Sequence, residues 1–320
     1  MFAERVNDAA NHLTASAKLA DDSILNALST VNDNLSQVAN LNGLITAAMT
    51  SGQVPSALMD QRDELVGDLA VLTGATSYQQ TNGDISLVLG GVSVVSGKSA
   101  YALEASRDPI TGYHHLTVAN TTQGVMDSRI TGGELGAQLA LRDTDIGGAQ
   151  AQLDQFAVDV ATAFNTVHAA GYGLDGVTGR NFFTPPAAVT GAAGLLALDS
   201  SATPSALAAA STATTISGGN DQALAITALE SSLVAAGNTQ TLGSSVTQLI
   251  SYSGRLLSDA QADGNQAYAF LTQTQSLWEQ QNGVSLDEQM MQLSRIQNAY
   301  QAAAKLITTV NGMLEVLQRL

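Results

Sequence analysis

No cysteine occurs among the 320 residues, which excludes disulfides, thiolate nucleophiles and cysteine-based metal sites. Cations are scarce. Twelve Lys and Arg stand against 28 Asp and Glu, a formal net charge of −16. A basic face for nucleic-acid phosphates is therefore not expected, nor is an electrostatic hold on anionic lipid. No stretch approaches the roughly 18–20 apolar residues of a membrane span, so membrane insertion is not expected. The opening residues, MFAERVNDAANHLTASAKLADD, lack the basic start, apolar run and small-residue cleavage site of a signal peptide. If the chain is exported, the expected route uses no cleaved signal. Charged residues make up only 12% and hydrophobic ones 45%, so the surface should be mostly neutral and polar. The length suffices for roughly two or three domains with a core.

What is present is periodicity. Ile24, Val31, Val38 and Ile45 recur every seven residues, with Leu28 and Leu35 between them. This 4-3 spacing predicts one long helix from Met1 to about residue 50. Gly52 to Pro55 ends it, and Pro55 suits the first turn of a second helix on which Leu58, Leu65 and Leu72 share a face. Residues 1–75 should thus form a helical hairpin. From Thr73 the period changes to two. Asn82-Gly83 and Gly90-Gly91 lie between β-prone runs, and a further turn is expected from Asp108-Pro109 to Gly112. Residues 76–130 should form a small antiparallel β unit.

Helix is expected again over 131–170, where Leu153, Val160 and Val167 form a row beside Phe156 and Phe164, with a kink or break at Gly147-Gly148. Residues 171–218, rich in Gly, Ala, Thr and Pro, read as irregular and loop-rich. Core helices should fill 219–283, with Leu242, Leu249, Leu256, Phe270 and Leu277 in one register. A last helix, 284–320, should be capped by Ser285 with Glu288 three residues on. Its first row is Leu286, Leu293, Tyr300, Ile307 and Leu314; its second is Gln289, Ile296, Ala303, Val310 and Leu317. A strict heptad pattern needs a partner helix. This seam is expected to be an assembly surface, whereas the stripes on the other long helices are expected to be in-chain core. The fold class is therefore mainly α with a β insertion: a long-helix bundle, a small antiparallel β unit and a terminal coiled-coil helix.

Chemical motifs are weak. Asp60, Arg62, Asp63 and Glu64 are expected to be ion pairs and hydrogen bonds fixing the hairpin rather than acid–base machinery. His114 and His115 are adjacent on a strand and point to opposite faces. His12 and His168 lie in no motif. LDGVTGRNFF, from Leu174 to Phe183, reads as a turn anchored by Phe182 and Phe183, since it lacks the repeated ligands of a calcium loop. No phosphate-loop or nucleophile-elbow motif occurs. No catalytic residue, cofactor or metal is expected.

Several stretches resemble a known family. NGVSLDEQMMQLSRIQNAYQAAAKLITTVNGMLEVL (Asn282 to Leu317) resembles the C-terminal motif of bacterial flagellar axial proteins, and its Tyr300-Gln301-Ala302-Ala303-Ala304 is closest to the hook-associated protein 1 family. VNDNLSQVANLNGLI (Val31 to Ile45), LMDQRDELVGDLAVL (Leu58 to Leu72) and GGELGAQLALRD (Gly132 to Asp143) resemble that family's motifs in order; so do the stretch from Phe164 to Phe183 and GGNDQALAITALES. Leu58, Asp60, Gln61, Arg62 and Asp63 fall on its Leu-x-Asp-Gln-Arg-Asp motif. The resemblance implies a non-enzymatic, extracellular structural subunit of the flagellum, exported unfolded, which joins hook to filament as a ring of subunits. Implied partners are further copies of itself, hook protein, hook-associated protein 3 and an export chaperone. Members begin with a helix carrying an Asn-Thr-Pro-Gly-Tyr motif, which does not occur here, so the seam's partner helix is expected to lie outside this sequence. The alternatives are a flagellin-like protein or hook-associated protein 3, and, in another class, a secreted hydrolase or calcium-binding surface protein.

Overall fold

The computed structural model describes residues 1–282 of the chain. Two compact units divide it, Met1–Gly254 and Arg255–Leu320. In the first, α1 (Phe2–Thr50) is a single helix of 49 residues, about 73 Å long at 1.5 Å per residue. Its buried row runs through Ala17, Ile24, Leu28, Val31, Leu35, Val38 and Ile45, the seam expected from the heptads. Two polar residues, Asp21 and Asn42, occupy positions within that row and are also buried.

After Gly52 and Pro55 the chain returns as α2 (Ser56–Thr73), packed on α1. Its buried positions are Arg62, Leu69 and Thr73, while Leu58 stays partly exposed. Gly74 ends α2 in the left-handed conformation, φ 69°, and its N–H bonds to the Ala70 carbonyl. A Cβ there would lie 2.7 Å from the backbone of Gly132, so glycine is needed for both conformation and contact.

Strands β1 (Thr76–Gln79), β2 (Ile85–Leu89), β3 (Val92–Ser96) and β4 (Ser99–Ala100) form an antiparallel sheet in chain order. The two-residue loop Gly90-Gly91 has φ of 54° and 79°, the double positive φ that a type I′ hairpin turn requires. Strands β5 (Leu103–Arg107) and β6 (His114–Val118) form a second antiparallel pair. Alternation puts Ile85, Leu87 and Leu89 on one face, and that face packs on α1 together with Leu103, Leu116 and Val118. Leu135 and Leu139 of α3 (Gly133–Ala140) close this core.

Helix α3 runs into a π turn, Leu141–Ile146, and then into α4 (Gly147–Ala169). The kink or break expected at Gly147-Gly148 takes the form of a π turn ending just before it. Gly147 is right-handed helical, and the irregularity is the π turn before it. Gly148 is small for another reason: a side chain there would collide with the Tyr252 hydroxyl.

A second core joins Val6 of α1 to Leu153, Phe156 and Val160 of α4, with Phe183 and Leu196 from the irregular segment. That segment holds α5 (Ala192–Leu195) and isolated bridges Tyr172–Ala210 and Phe183–Leu198; α6 (Asp221–Ala228) follows it. Helix does not continue from α6 as expected. Ala236, Gly237 and Asn238 all have positive φ and interrupt it before α7 (Leu242–Asn282). Thr241 caps α7, its Oγ1 accepting the Ser244 N–H at 3.1 Å.

The row on α7 is divided between the two units. Leu242 and Leu249 pack on the second core. Within the second unit Phe270, Leu277 and Trp278 are 71%, 57% and 65% exposed. The expected coiled-coil helix 284–320 lies outside the described residues.

Candidate functional site

Helix α2 places Arg62 against α1, where the residue is 1% exposed. Its Nη1 donates to the Gly83 carbonyl at 2.7 Å and approaches Asn42 Oδ1 at 3.4 Å. Asp63 Oδ1 is also 3.4 Å away. Asp60, Gln61 and Asp63 are exposed. Of the motif residues, then, Arg62 does the fixing, mostly through backbone and amide oxygens rather than through carboxylates. Its bond to Gly83 ties α2 to the β1–β2 turn.

Asn42 continues this polar seam. Its Nδ2 donates to Ile85 O at 2.7 Å and to Gly97 O at 2.9 Å, while its Oδ1 accepts the Ile85 N–H at 3.1 Å. The sheet is thereby docked on α1 through its backbone.

A larger polar cluster forms around Arg142, which the π turn points inward. All five of its N–H donors are used. Nε and Nη2 grip Asp143 at 2.7 and 2.9 Å. Nη1 reaches Asp21 Oδ1 at 2.7 Å and the His114 carbonyl at 2.8 Å, and Nη2 reaches Asp127 Oδ2 at 3.3 Å. The guanidinium carbon also sits 5.6 Å from the centre of the Tyr113 ring. Burial opposes the charge on Arg142, but its bonds to Asp143 and Asp21 outweigh this and raise its pKa further. Burial likewise pushes Asp21 upward. The His114 amide, the His114 ring and Arg142 outweigh that, holding the carboxyl below its usual range.

The two adjacent histidines serve this hub from different sides. His114 Nδ1 bonds to Asp21 Oδ2 at 2.8 Å. His115 lies between Asp127 and Asp108, at 2.7 and 3.0 Å. Its pKa is raised, first by Asp127 and then by Asp108. Beside it, a cleft of about 480 Å³ is lined by His115, Asp127, Asp143, Ile130 and Leu139. The titratable groups on its wall are already paired, His115 with Asp127 and Asp143 with Arg142. No described group of three or more His, Asp or Glu is arranged to hold a metal ion.

The irregular segment is held in the same manner. His168, buried at the end of α4, donates from Nδ1 to Arg180 O at 2.8 Å and accepts the Ala208 N–H on Nε2 at 3.1 Å. Asn165 accepts the N–H groups of Phe182 and Phe183, both at 2.8 Å, and donates to Phe183 O. Asp154 accepts the N–H groups of Gly191 and Ala193. Arg180 pairs with Asp175 inside the Leu174–Phe183 turn. Among the described residues no buried side-chain nitrogen or oxygen lacks a partner. Such an arrangement can position backbone.

Sequence reasoning passed over Arg142, Asp21 and Asn42. A signal existed for two of them: Asp21 and Asn42 interrupt the α1 seam at in-register positions. Arg142 carries no such mark. The expected assembly seam, Leu286, Leu293, Ile296, Tyr300, Ala303, Ile307, Val310, Leu314 and Leu317, lies outside the described residues, as do its caps Ser285 and Glu288.

Residues 1–183 match the model of the flagellar hook-associated protein FlgK helical domain. Residues 279–320 match that of the flagellar basal body rod FlgEFG protein C-terminal region. Over 174 residues the chain is 32% identical to flagellar hook-associated protein 1 of Salmonella typhimurium, covering 52% of the chain and 32% of that protein. Flagellar hook-associated protein 1 of Bacillus subtilis is 28% identical over 325 aligned positions, covering 89% and 62%. The solved flagellar hook junction protein FlgK from Burkholderia pseudomallei superposes with a TM-score of 0.50 at 30% identity, over 57% of this chain and 34% of that one. The chain thus spans about a third of the Salmonella relative and less than two thirds of the Bacillus one.

Proposed function

The chain belongs to the flagellar hook-associated protein FlgK family, and on that premise we propose that it is a structural, non-enzymatic subunit of the bacterial flagellum, located outside the cell where hook meets filament. The observation that carries this reading is the family's helical domain over residues 1–183, followed at residues 279–320 by a rod-type C-terminal segment. Between these two matches α7 carries exposed apolar residues, Phe270, Leu277 and Trp278. Large exposed apolar patches are uncommon on monomeric proteins and mark contact surfaces.

In this reading the two cores and their polar clasps form a stiff spacer. The heptad residues Leu286 to Leu317 pair with helices of the same kind in a ring of subunits. Hook protein lies on one side and hook-associated protein 3 on the other, and an export chaperone escorts the unfolded chain. A subunit of this type needs mechanical definition rather than a reactive pocket, and saturated hydrogen bonding at Arg142 and Asn42 supplies it.

The test is genetic and microscopic. The gene is deleted, then restored with an epitope-tagged version. Loss of the gene should leave hooks intact while flagellin escapes into the medium, and the tagged protein should mark hook tips in a strain lacking filament. Filaments that persist after deletion, or label elsewhere than hook tips, would overturn the reading.

A further inference from the structure

His115 has a carboxylate oxygen at each ring nitrogen, Asp127 Oδ2 at Nδ1 and Asp108 Oδ2 at Nε2. A neutral imidazole carries one N–H and one lone pair. Its lone pair would face a carboxylate on one side or the other. Neither carboxylate is free to turn away. Asp108 Oδ1 accepts the N–H groups of Ile110 and Thr111, and Asp127 Oδ1 accepts that of Leu116. Only the imidazolium satisfies both contacts.

The two carboxylates belong to different parts of the fold. Asp108 opens the turn between β5 and β6, and Asp127 sits in the 3₁₀ turn Asp127–Arg129, bonded to Arg142. The charged groups around the ring are Asp108 from the hairpin, Asp127 from that turn and Asp143, which lines the same cleft, with Arg142 bonded to Asp127 behind it; Glu104 lies on β5, opposite Thr117. The ring is 36% exposed, so its proton exchanges with solvent.

We propose that His115 is an alkali-released latch, which when protonated holds the tip of the β5–β6 hairpin against the Arg142 hub and when deprotonated lets that tip go. Release breaks one N–H bond, and the proton passes to hydroxide. The shorter contact, to Asp127, keeps its hydrogen. Nε2 therefore loses the proton, and its lone pair is left facing Asp108. A histidine whose pKa is raised on folding contributes fully below its ordinary value of 6.5, and the contribution is lost as pH climbs through the higher folded value. If the chain sits outside the cell, as proposed above, the latch meets whatever pH the medium has. The latch itself does not depend on that placement.

The test uses the intact 320-residue chain, ¹⁵N-labelled at histidine, followed by imidazole NMR from about pH 5 to about pH 10. His115 should show both ring nitrogens protonated at neutral pH, with a midpoint above 6.5 and the Nδ1–H tautomer beyond it. Hydrogen exchange at the Asp108 and Gly112 amides should then accelerate relative to the Ile85 amide held by Asn42. Asp108→Asn should lower the midpoint without changing the far-ultraviolet circular dichroism. A single neutral tautomer below pH 6.5, tip amides that track Ile85, or a midpoint unmoved by Asp108→Asn would each overturn the latch.

Discussion

Asn32 and Leu103 share a pair of hydrogen bonds: the Asn32 amide nitrogen donates to the Leu103 carbonyl at 2.9 Å, and its oxygen accepts the Leu103 N–H at 2.8 Å. A side chain on α1 thus behaves as the next strand would, pairing with both backbone groups of one residue. Asn42 does the same with Ile85, and Asn165 with Phe183. In three places a helix holds a non-helical segment by its backbone, which satisfies buried polar groups that would otherwise be costly.

Removing such a clasp strands its partners. Asn42→Ala leaves the Ile85 N–H and the Gly97 carbonyl without their side-chain partner. Each buried group left unsatisfied costs about 1–3 kcal/mol. Urea denaturation should show a lower midpoint at unchanged slope, with a larger loss than for Asn32→Ala, whose site is less buried. An equal or smaller loss for Asn42→Ala would count against the clasp.

Arg142 is the more severe case. Arg142→Ala leaves the buried Asp21 carboxylate without its guanidinium partner, at a cost of about 3–5 kcal/mol, while Asp127 keeps only His115. Arg142→Lys keeps the charge but cannot reproduce the forked contacts, so it should recover only part of the loss. A double-mutant cycle with Asp21→Asn should show strong coupling between the two sites in equilibrium unfolding.

Acid should weaken the same region. Asp21 is held below its ordinary value of 3.8 by its donors despite burial, and Asp108 by the Ile110 amide and the His115 ring. A carboxylate lowered on folding contributes above its unfolded value, and the contribution disappears as pH falls through the lower folded one. Stability measured across the acid range should fall below pH 3.8, and less steeply in Asp108→Asn.

The exposed end of α7 makes its own prediction. Trp278 is the chain's one tryptophan, so its fluorescence reports this surface alone. Emission should be that of a water-exposed indole and open to acrylamide quenching. Phe270→Ser should change the stability of the Met1–Gly254 unit by no more than about 0.5 kcal/mol, as for other surface positions. A chain trimmed from Ser285 should keep its cooperative thermal transition. If the transition is lost, the C-terminal segment belongs to the folded core.

Local pattern determined much of this protein in advance. The 4-3 spacing from Ile24 to Ile45 specifies α1, and Gly90-Gly91 specifies its hairpin, because helix period and turn conformation depend on residues close in sequence. Tertiary structure alone decided what the polar residues do. Asp21 meets Arg142 across 121 positions, and Asn42 meets Ile85 across 43. The side chains that clasp the fold are chosen by backbone groups that approach only once the chain has folded. The direction of a stripe is equally non-local. The heptads of α7 look like those of α1, yet the α1 row is buried while Phe270 and Leu277 are exposed within their own unit. Periodicity marks a face as apolar; what covers that face depends on partners distant in the chain or outside it.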